Sequence, residues 1–373
     1  NLRTATLSNK GNIEKYAFNE CGLQSVEITS KGNIEEYAFS RCTNLKNATI
    51  KNSGSIGHYA FEECSKLENL EIGQAVTGIG RAAFSICSSV PNVVIPNSVK
   101  TLGSSAFYNC RALESVSIGT GISTLETYVF NGCSSLSSLV IPDNIKSIGN
   151  HAFSGCTSLA DVKIEDSASD TENILKLGSN GSSPLFSSCP LDEVYIGRKL
   201  SYSTSSSDGY SPFYRNTSLR TVEITDAETE IYDNEFYGCS NLQSLKIGNG
   251  VTKIGRWAFS GCSSMDYFSA GYKVESIGEE AFSDCTGLKK YYSLSMNPPV
   301  CGNQALDDIN KWDCTLYIPD GSIKSYQEAP QWKDFFFIDM LDPAGIEMIV
   351  EEDTPFDIFK LNGVVVKRGA SKI

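Results

Sequence analysis

The sequence is short of the residues on which most catalytic sites depend. Its only histidines, His58 and His151, lie at variable positions between a glycine and an alanine, so Ser–His or Cys–His catalysis has almost no candidates. No stretch approaches the run of about 18 apolar residues that a membrane helix needs. The formal charge of −13 disfavours nucleic acid, because an acidic surface repels phosphate. We therefore expect a protein that is not an enzyme, does not span a membrane and does not bind nucleic acid.

Closely spaced cysteine pairs are also missing, although the chain has 13 cysteines. Without a Cys-x-x-Cys pair, zinc ligation has no starting point, and we expect no metal and no cofactor. The cysteines instead recur every 21 to 23 residues over the first half of the chain, at Cys21, Cys42, Cys64, Cys87, Cys110, Cys133 and Cys156. Asn216 falls in register with them, which suits a buried site that bonds the backbone of a neighbouring turn. We predict a column of buried, reduced, structural thiols.

A repeat of about 23 residues explains this spacing. Phenylalanines mark twelve copies, at positions 18, 39, 61, 84, 107, 130, 153, 186, 213, 236, 259 and 282. Each copy continues Leu-x-x-Val-x-Ile, and the alternation of apolar and polar residues predicts a strand with one buried face. The unit is completed by a turn with Gly or Pro-Asn/Asp, a second short extended piece, and a helical or 3₁₀ turn over Ala-Phe-x-x-Cys.

One such unit cannot cover its own apolar face, so the copies must stack. Stacking places like residue on like residue and forms continuous ladders of Phe, Cys, Leu, Val and Ile. We predict a solenoid, mainly β with short helical or 3₁₀ turns, of about twelve repeats followed by a C-terminal cap and a β-hairpin.

The pattern I-G-x-x-A-F-x-x-C-x-x-L-x-x-V-x-I-P resembles the BspA-like leucine-rich repeats of bacterial surface proteins. The resemblance covers roughly residues 2–318. It implies an extracellular or cell-surface protein that adheres to host matrix proteins or to other cells. Because the chain opens at Asn1 inside the strand half of a repeat, we expect it to be the mature or trimmed part of a longer protein.

Three segments follow from this organisation. The solenoid takes residues 1–318, and a cap takes 319–340, where a short helix near 323–329 precedes Trp332, Phe335 and Ile338 over the open end. Residues 344–373 form a small β-hairpin module around Asn362-Gly363, which resembles the C-terminal modules of secreted Bacteroidetes proteins but stops earlier. Cys301 lies outside the regular column, and its pairing with Cys314 in a disulfide stays open.

The outward positions of the strands are the candidate binding surface. They are polar, mixed in charge and without the facing acid pair that a glycosidase needs. The C-terminal half carries more anchoring groups than the Ser/Asn-rich middle, since tyrosine and long charged side chains are favoured at recognition surfaces. With two tyrosines from the inserted loops, the candidates are Tyr195, Glu193, Glu223, Lys246, Tyr267, Tyr292, Lys290, Tyr202 and Tyr210.

The repeat spacing fails between Cys156 and Asn216, where small and polar residues are inserted. Insertions in solenoids map to loops, often on the binding face, although a tolerated surface excursion is the simpler explanation. Asp166, Asp170 and Asp208 match no calcium loop. We predict a non-enzymatic surface or secreted protein that binds a protein or glycan through the exposed sheet and these loops. The alternatives are a spacer that displays another domain and, with least support, a hydrolase. Oligomeric state is not determined by the sequence.

Overall fold

The computed structural model describes residues 2–166, 173–178, 184–202 and 211–341, together with the backbone of Phe359–Leu361 and Val364–Val366. Its dominant feature is a stack of short parallel strands, one from each turn of the chain, which we call the main ladder. The strands of the main ladder are Thr4–Leu7, Ser25–Ile28, Asn47–Ile50, Asn69–Ile72, Asn92–Ile95, Ser115–Ile118, Ser138–Ile141, Asp161–Ile164, Glu193–Ile196, Thr221–Ile224, Ser244–Ile247, Tyr267–Ala270, Lys290–Ser293, Thr315–Ile318 and Phe337–Met340.

The predicted register of the main ladder is confirmed. Val222 lies opposite Leu245, and Ile224 lies opposite Ile247, so the apolar positions of successive strands share the buried face. Glu223 lies opposite Lys246 on the outward face. The ladder divides into runs of four, two and nine strands. The first break follows Asn69–Ile72 and the second follows Ser115–Ile118.

Shorter strands form a second ladder on another side of each turn. They are Ser55–Ile56, Gly78–Ile79, Thr101–Leu102, Thr124–Leu125, Ser147–Ile148, Leu175–Leu177, Leu200–Ser201, Glu230–Ile231, Lys253–Ile254, Ser276–Ile277 and Val300–Cys301. The core between the two ladders holds the repeated apolar side chains. Its phenylalanine column stacks ring on ring, with Phe84, Phe107 and Phe130 at centroid separations of 5.4 and 5.7 Å.

The segment over Ala-Phe-x-x-Cys, predicted as a helical or 3₁₀ turn, is a series of turns closed by i→i−3 hydrogen bonds, the spacing of a 3₁₀ turn, without a continuous helix. Tyr59 (φ 56°) and Glu63 (φ 57°) are left-handed, and so are their counterparts in most turns. As a result the backbone N–H groups alternate: Ala60 donates to Gly57 within the turn at 3.4 Å, whereas Phe61 donates to Ala83 of the next turn at 2.7 Å. A helix would direct every N–H along its own chain, so this alternation is what lets the turns bond to one another.

The cysteine column lies in the core as predicted, and all 13 thiols are free. Cys110 Sγ donates to the carbonyl of Phe84 in the preceding turn at 3.2 Å, and the same bond recurs along the column. Asn216 Nδ2 donates to the carbonyl of Cys189 at 2.8 Å, which confirms its predicted role. Burial raises the pKa of the thiol to about 12 at Cys110 and also to about 12 at Cys239, so these thiols are not nucleophiles.

At the C-terminal end, the main ladder extends past the twelve predicted repeats, because Phe337–Met340 pairs in parallel with Thr315–Ile318. An α-helix, Ile323–Glu328, and a 3₁₀ helix, Trp332–Asp334, connect these two strands. Trp332 is buried with its ring edge-on to Tyr291 at 5.3 Å, and its indole N–H donates to the carbonyl of Pro299 at 2.8 Å.

The two cysteines at this end, Cys301 and Cys314, are both free. Beyond the last strand of the main ladder, Phe359–Leu361 and Val364–Val366 pair antiparallel, as the Asn-Gly signal between them predicts.

Candidate binding surface

The outward face of the main ladder brings three tyrosines into one row near its C-terminal end. Tyr267 and Tyr292 lie with ring centroids 5.2 Å apart and planes at 40°, and Tyr292 stacks on Tyr317 at 4.4 Å and 8°. We call Tyr267, Tyr292 and Tyr317 the tyrosine row. Its rings are half-buried, and burial raises the pKa of Tyr292 to about 12, so its hydroxyl stays protonated at neutral pH. Aromatic side chains so arranged offer rigid contact area at low entropic cost.

Charged side chains border the tyrosine row. Lys246 Nζ lies 3.3 Å from Glu223 Oε1 on the neighbouring strand, with both side chains half-buried. Lys290, beside Tyr267, is exposed. Phe337 occupies the same outward column as Lys290, two strands further along the ladder, and is 47% exposed. The surface therefore combines apolar rings with a cation and an ion pair, a composition suited to recognition.

Glu193 lies on an acidic part of the same face, in register with Asp161. Burial, and then the charges of Asp161 and Asp192, raise the pKa of the Glu193 carboxyl. Arg220 opposes this charge by bonding both carboxylate oxygens of Asp192. Asp192 is therefore paired with an arginine, whereas Asp161 and Glu193 face each other as like charges.

Tyr195 was predicted as an exposed anchor, and that prediction was wrong. Its side chain is buried, and its hydroxyl donates to Asp166 Oδ1 at 2.8 Å. Lys163 Nζ lies 5.5 Å from its ring centroid. The contact with Asp166, which follows the strand Asp161–Ile164, is one that a strand register alone does not reveal.

Tyr202 was also placed wrongly, because it belongs to the second ladder and packs against the core. Its ring lies 4.9 Å from that of Tyr232, and burial together with Glu235 and Glu228 raises the pKa of its hydroxyl. Burial raises the pKa of Glu228 to about 7 and that of Glu235 to about 8. Tyr210 lies outside the described residues, as do Asp170 and Asp208 of the inserted loops.

Sequence reasoning missed several residues. Tyr317 was overlooked because its strand follows the twelfth repeat, although Leu316-Tyr317-Ile318 shows the same alternation as the other strands. Arg198 is buried, and its guanidinium donates to the carbonyls of Pro142 and Asp143 at 2.9 and 2.7 Å. Nothing in the repeat pattern indicates that the side chain of Arg198 would be buried.

Within the described ranges, no group of three or more His, Cys, Asp or Glu side chains could hold a metal ion. A search of the same ranges finds no helix that is long and apolar enough to cross a membrane. What the geometry offers is a polar and aromatic face on a rigid stack of turns.

These features define a leucine-rich-repeat solenoid with an open strand face. Comparison with known families makes this specific: the BspA-type leucine-rich-repeat region matches residues 1–90, 54–175, 91–207 and 209–305, in six copies. The chain belongs to this family of leucine-rich-repeat proteins.

Among solved structures, one similar chain is a leucine-rich repeat protein from Bacteroides ovatus, with 25% identity over 83% of this chain and 87% of that one and a TM-score of 0.45. Another is a leucine-rich cell surface protein from Faecalibacterium prausnitzii, with 19% identity over 95% and 92% and a TM-score of 0.41. The pneumococcal vaccine antigen PcpA is 15% identical over 91% and 89%, with a TM-score of 0.30. No curated protein matches the chain.

Proposed function

We propose that this chain is a non-enzymatic, extracellular or cell-surface binding protein that contacts a protein or glycan through the outward face of the main ladder. The tyrosine row carries the proposal. Three rings stand on adjacent strands, separated by 4.4 to 5.2 Å, and they are held by a backbone that a partner need not rearrange. Binding to a preformed surface avoids the entropic cost of ordering it.

The neighbouring charges would determine which kind of partner the surface binds. Lys290 is exposed and Lys246 is half-buried in its pair with Glu223, so a partner with acidic groups beside an apolar or aromatic patch fits best. Family membership supports an extracellular or surface location, because BspA-like repeats are typical of bacterial surface proteins.

The test is a binding screen of the purified chain against matrix proteins, cultured cells and a glycan array. The double variant Tyr267→Ala/Tyr292→Ala should lower binding at least tenfold, since aromatic anchors dominate such interfaces. The matched control is Tyr16→Ala/Tyr37→Ala, which removes a stacked pair 5.1 Å apart from a different side of the turns.

Binding that survives in the Tyr267/Tyr292 variant would refute the assignment of this surface. No binding to any partner would instead favour the alternative, a spacer or scaffold that displays another domain. The length of the main ladder, which runs from Thr4–Leu7 to Phe337–Met340, supports that alternative.

A further inference from the structure

The second ladder is broken between its strands Leu200–Ser201 and Glu230–Ile231, which belong to different sheets. The main ladder continues through the same two turns, because Glu193–Ile196 pairs in parallel with Thr221–Ile224 over all four residues. The break is therefore confined to one part of each turn and does not separate the turns as a whole.

The segments over the phenylalanines of these two turns are also bonded to each other. The Arg215 N–H donates to the Tyr237 carbonyl at 2.7 Å. Strand pairing is thus missing only on the second ladder, where Leu200–Ser201 faces Glu230–Ile231. We call the contacts at this place the joint.

Side chains of the later turn bond the backbone at the joint. Glu228 Oε2 accepts the Leu200 N–H at 2.8 Å, and its Oε1 accepts the Thr229 N–H at 3.3 Å. The Tyr232 hydroxyl donates to the Leu200 carbonyl at 3.2 Å, and Glu235 Oε2 accepts the Tyr232 N–H at 2.7 Å. Two carboxyl groups therefore accept N–H groups that the carbonyls of a neighbouring strand would accept in an unbroken ladder.

Both glutamates occupy positions of the repeat that are apolar and buried in the following turn. The register of the second ladder places Glu228 level with Val251 and Glu235 level with Ala258, and both of these residues are 0% exposed. The residue before the phenylalanine is apolar in every other copy of the repeat. Glu228 and Glu235 are themselves only 3% and 2% exposed. Burial at such positions disfavours the charged form of a carboxyl group.

The two carboxyl groups accordingly keep their protons to an unusually high pH. Burial raises the pKa of Glu228 from 4.5 to about 7. Burial, and then the charge of Glu228, raise the pKa of Glu235 from 4.5 to about 8. The closed joint therefore binds protons that an open, hydrated joint would release. This contribution to closure is complete below about pH 4.5 and is lost as the pH rises through about 7 and 8.

The neighbouring titratable groups come from the same two turns. Burial raises the pKa of the Tyr202 hydroxyl and also that of Tyr232, to about 12, so both stay protonated while the carboxyl groups ionise. Two charged groups remain, Lys199, which lowers the pKa of Glu228, and Glu230, which raises that of Glu235 and lies 3.9 Å from Lys253 of the following turn.

The joint also contacts the residues on both sides of an inserted loop. The Tyr202 ring lies 4.9 Å from the Tyr232 ring, and Ser211 Oγ donates to the carbonyl of Glu235. The residues between Tyr202 and Ser211 are among those that interrupt the repeat spacing. Because both contacts are made to the segment that carries the buried carboxyl groups, a change at the joint reaches both sides of the insertion.

We propose that the joint is a pH-responsive contact, which is closed while Glu228 and Glu235 are protonated and opens locally when both ionise. Two carboxylates in one buried site repel each other, and each lacks the water that would solvate its charge. Opening the joint admits that water and leaves Glu193–Ile196 paired with Thr221–Ile224. The joint is separate from the tyrosine row, so this proposal does not depend on the proposed function.

The test is hydrogen exchange of the full chain at pH 6 and pH 9, with each amide corrected for its intrinsic exchange rate. The protection of the Leu200 and Tyr232 amides should fall at least tenfold between the two pH values. Two other amides serve as internal controls and should change less than threefold. They are Gly278, which donates to the Ile254 carbonyl in the unbroken second ladder, and Thr225, which donates to the Ile196 carbonyl beside the main ladder.

Two double variants remove the ionisable groups in different ways. Glu228→Gln/Glu235→Gln keeps the size and an acceptor oxygen, and Glu228→Val/Glu235→Ala installs the residues of the following turn. Whatever its absolute protection, the Leu200 amide should differ less than threefold between pH 6 and pH 9 in both variants, and circular dichroism checks that they fold. The matched control, Glu27→Gln/Glu114→Gln, removes the same charge from exposed positions and should keep the tenfold fall.

Unchanged protection of Leu200 and Tyr232 in the parent chain would overturn the proposal. A tenfold fall that persists in a folded variant without the two carboxyl groups would do the same. An equal fall at Gly278 and Thr225 would mean that the chain unfolds as a whole, which equally contradicts a local opening.

Discussion

Replacing Gly103 by alanine should push apart two turns that are now in contact. The new Cβ would lie 2.4 Å from the backbone nitrogen of Arg81, and backbone cannot move aside as the end of a flexible side chain can. The turns must therefore separate, which breaks the hydrogen bond of 2.8 Å from the Gly103 N–H to the Ile79 carbonyl.

The size of the effect follows from two contributions. Overpacking typically costs about 1–3 kcal/mol, and a lost backbone hydrogen bond costs about 1 kcal/mol. We expect the free energy of unfolding to fall by about 2–4 kcal/mol in total. The control is Gly22→Ala, where the added Cβ meets nothing within 4 Å and a change of at most about 1 kcal/mol, in the stabilising direction, is expected.

Urea unfolding followed by circular dichroism measures both variants. Because the stability of a repeat protein is distributed along the stack, hydrogen exchange at residue 103 should be measured as well. Its amide should lose protection in Gly103→Ala and not in Gly22→Ala. Equal stability of the two variants, with unchanged exchange at residue 103, would refute the role assigned to the glycine.

Three further predictions concern the core. Burial raises the pKa of Glu228 from 4.5 to about 7 and that of Glu235 from 4.5 to about 8. Unfolding therefore releases protons above pH 4.5, and the free energy of unfolding should fall between about pH 5 and 8. Glu235→Gln should flatten this pH dependence in urea titrations. Phe107→Ala should lower the free energy of unfolding by about 3–5 kcal/mol, because it leaves a cavity in the phenylalanine column. Ellman's reagent should label at most Cys21 and Cys301 in the native chain, since the other cysteines are buried, and all 13 in denaturant.

Each of these predictions has a contradicting outcome. A pH dependence that is unchanged in Glu235→Gln would show that the buried carboxyl does not carry it. A loss below about 1 kcal/mol in Phe107→Ala would mean that the column repacks. Rapid labelling of more than two thiols in the native chain would contradict the burial of the cysteine column.

Much of the fold followed from particular repeated residues. The Phe-x-x-Cys spacing predicted the register, and the in-register Asn216 predicted a buried polar site whose amide now bonds the carbonyl of Cys189. Stacking requires each side chain to match its neighbour in the next turn, so a repeat in the sequence is also a repeat in space.

The candidate site was predicted less well. Tyr267 and Tyr292 meet as their register implied, but Tyr195 and Tyr202 are covered by neighbouring segments. Alternation along a strand tells which face a side chain takes, but not whether another part of the chain lies over that face. The left-handed residues of the turn over Ala-Phe-x-x-Cys were not predicted either, because they are tyrosine or glutamate as readily as glycine.

The sequence by itself determined the solenoid, its register and the identity of its buried columns, because these depend only on which residue recurs at each position. Only the tertiary structure decided where the stack opens. Glu35 and Glu126 occupy the same position of the repeat, yet the Glu35 N–H donates to the Ile13 carbonyl at 2.9 Å, whereas in the described part of the chain no such bond joins Glu126 to Leu102. The difference arises from the packing of whole turns and is not written in any one repeat.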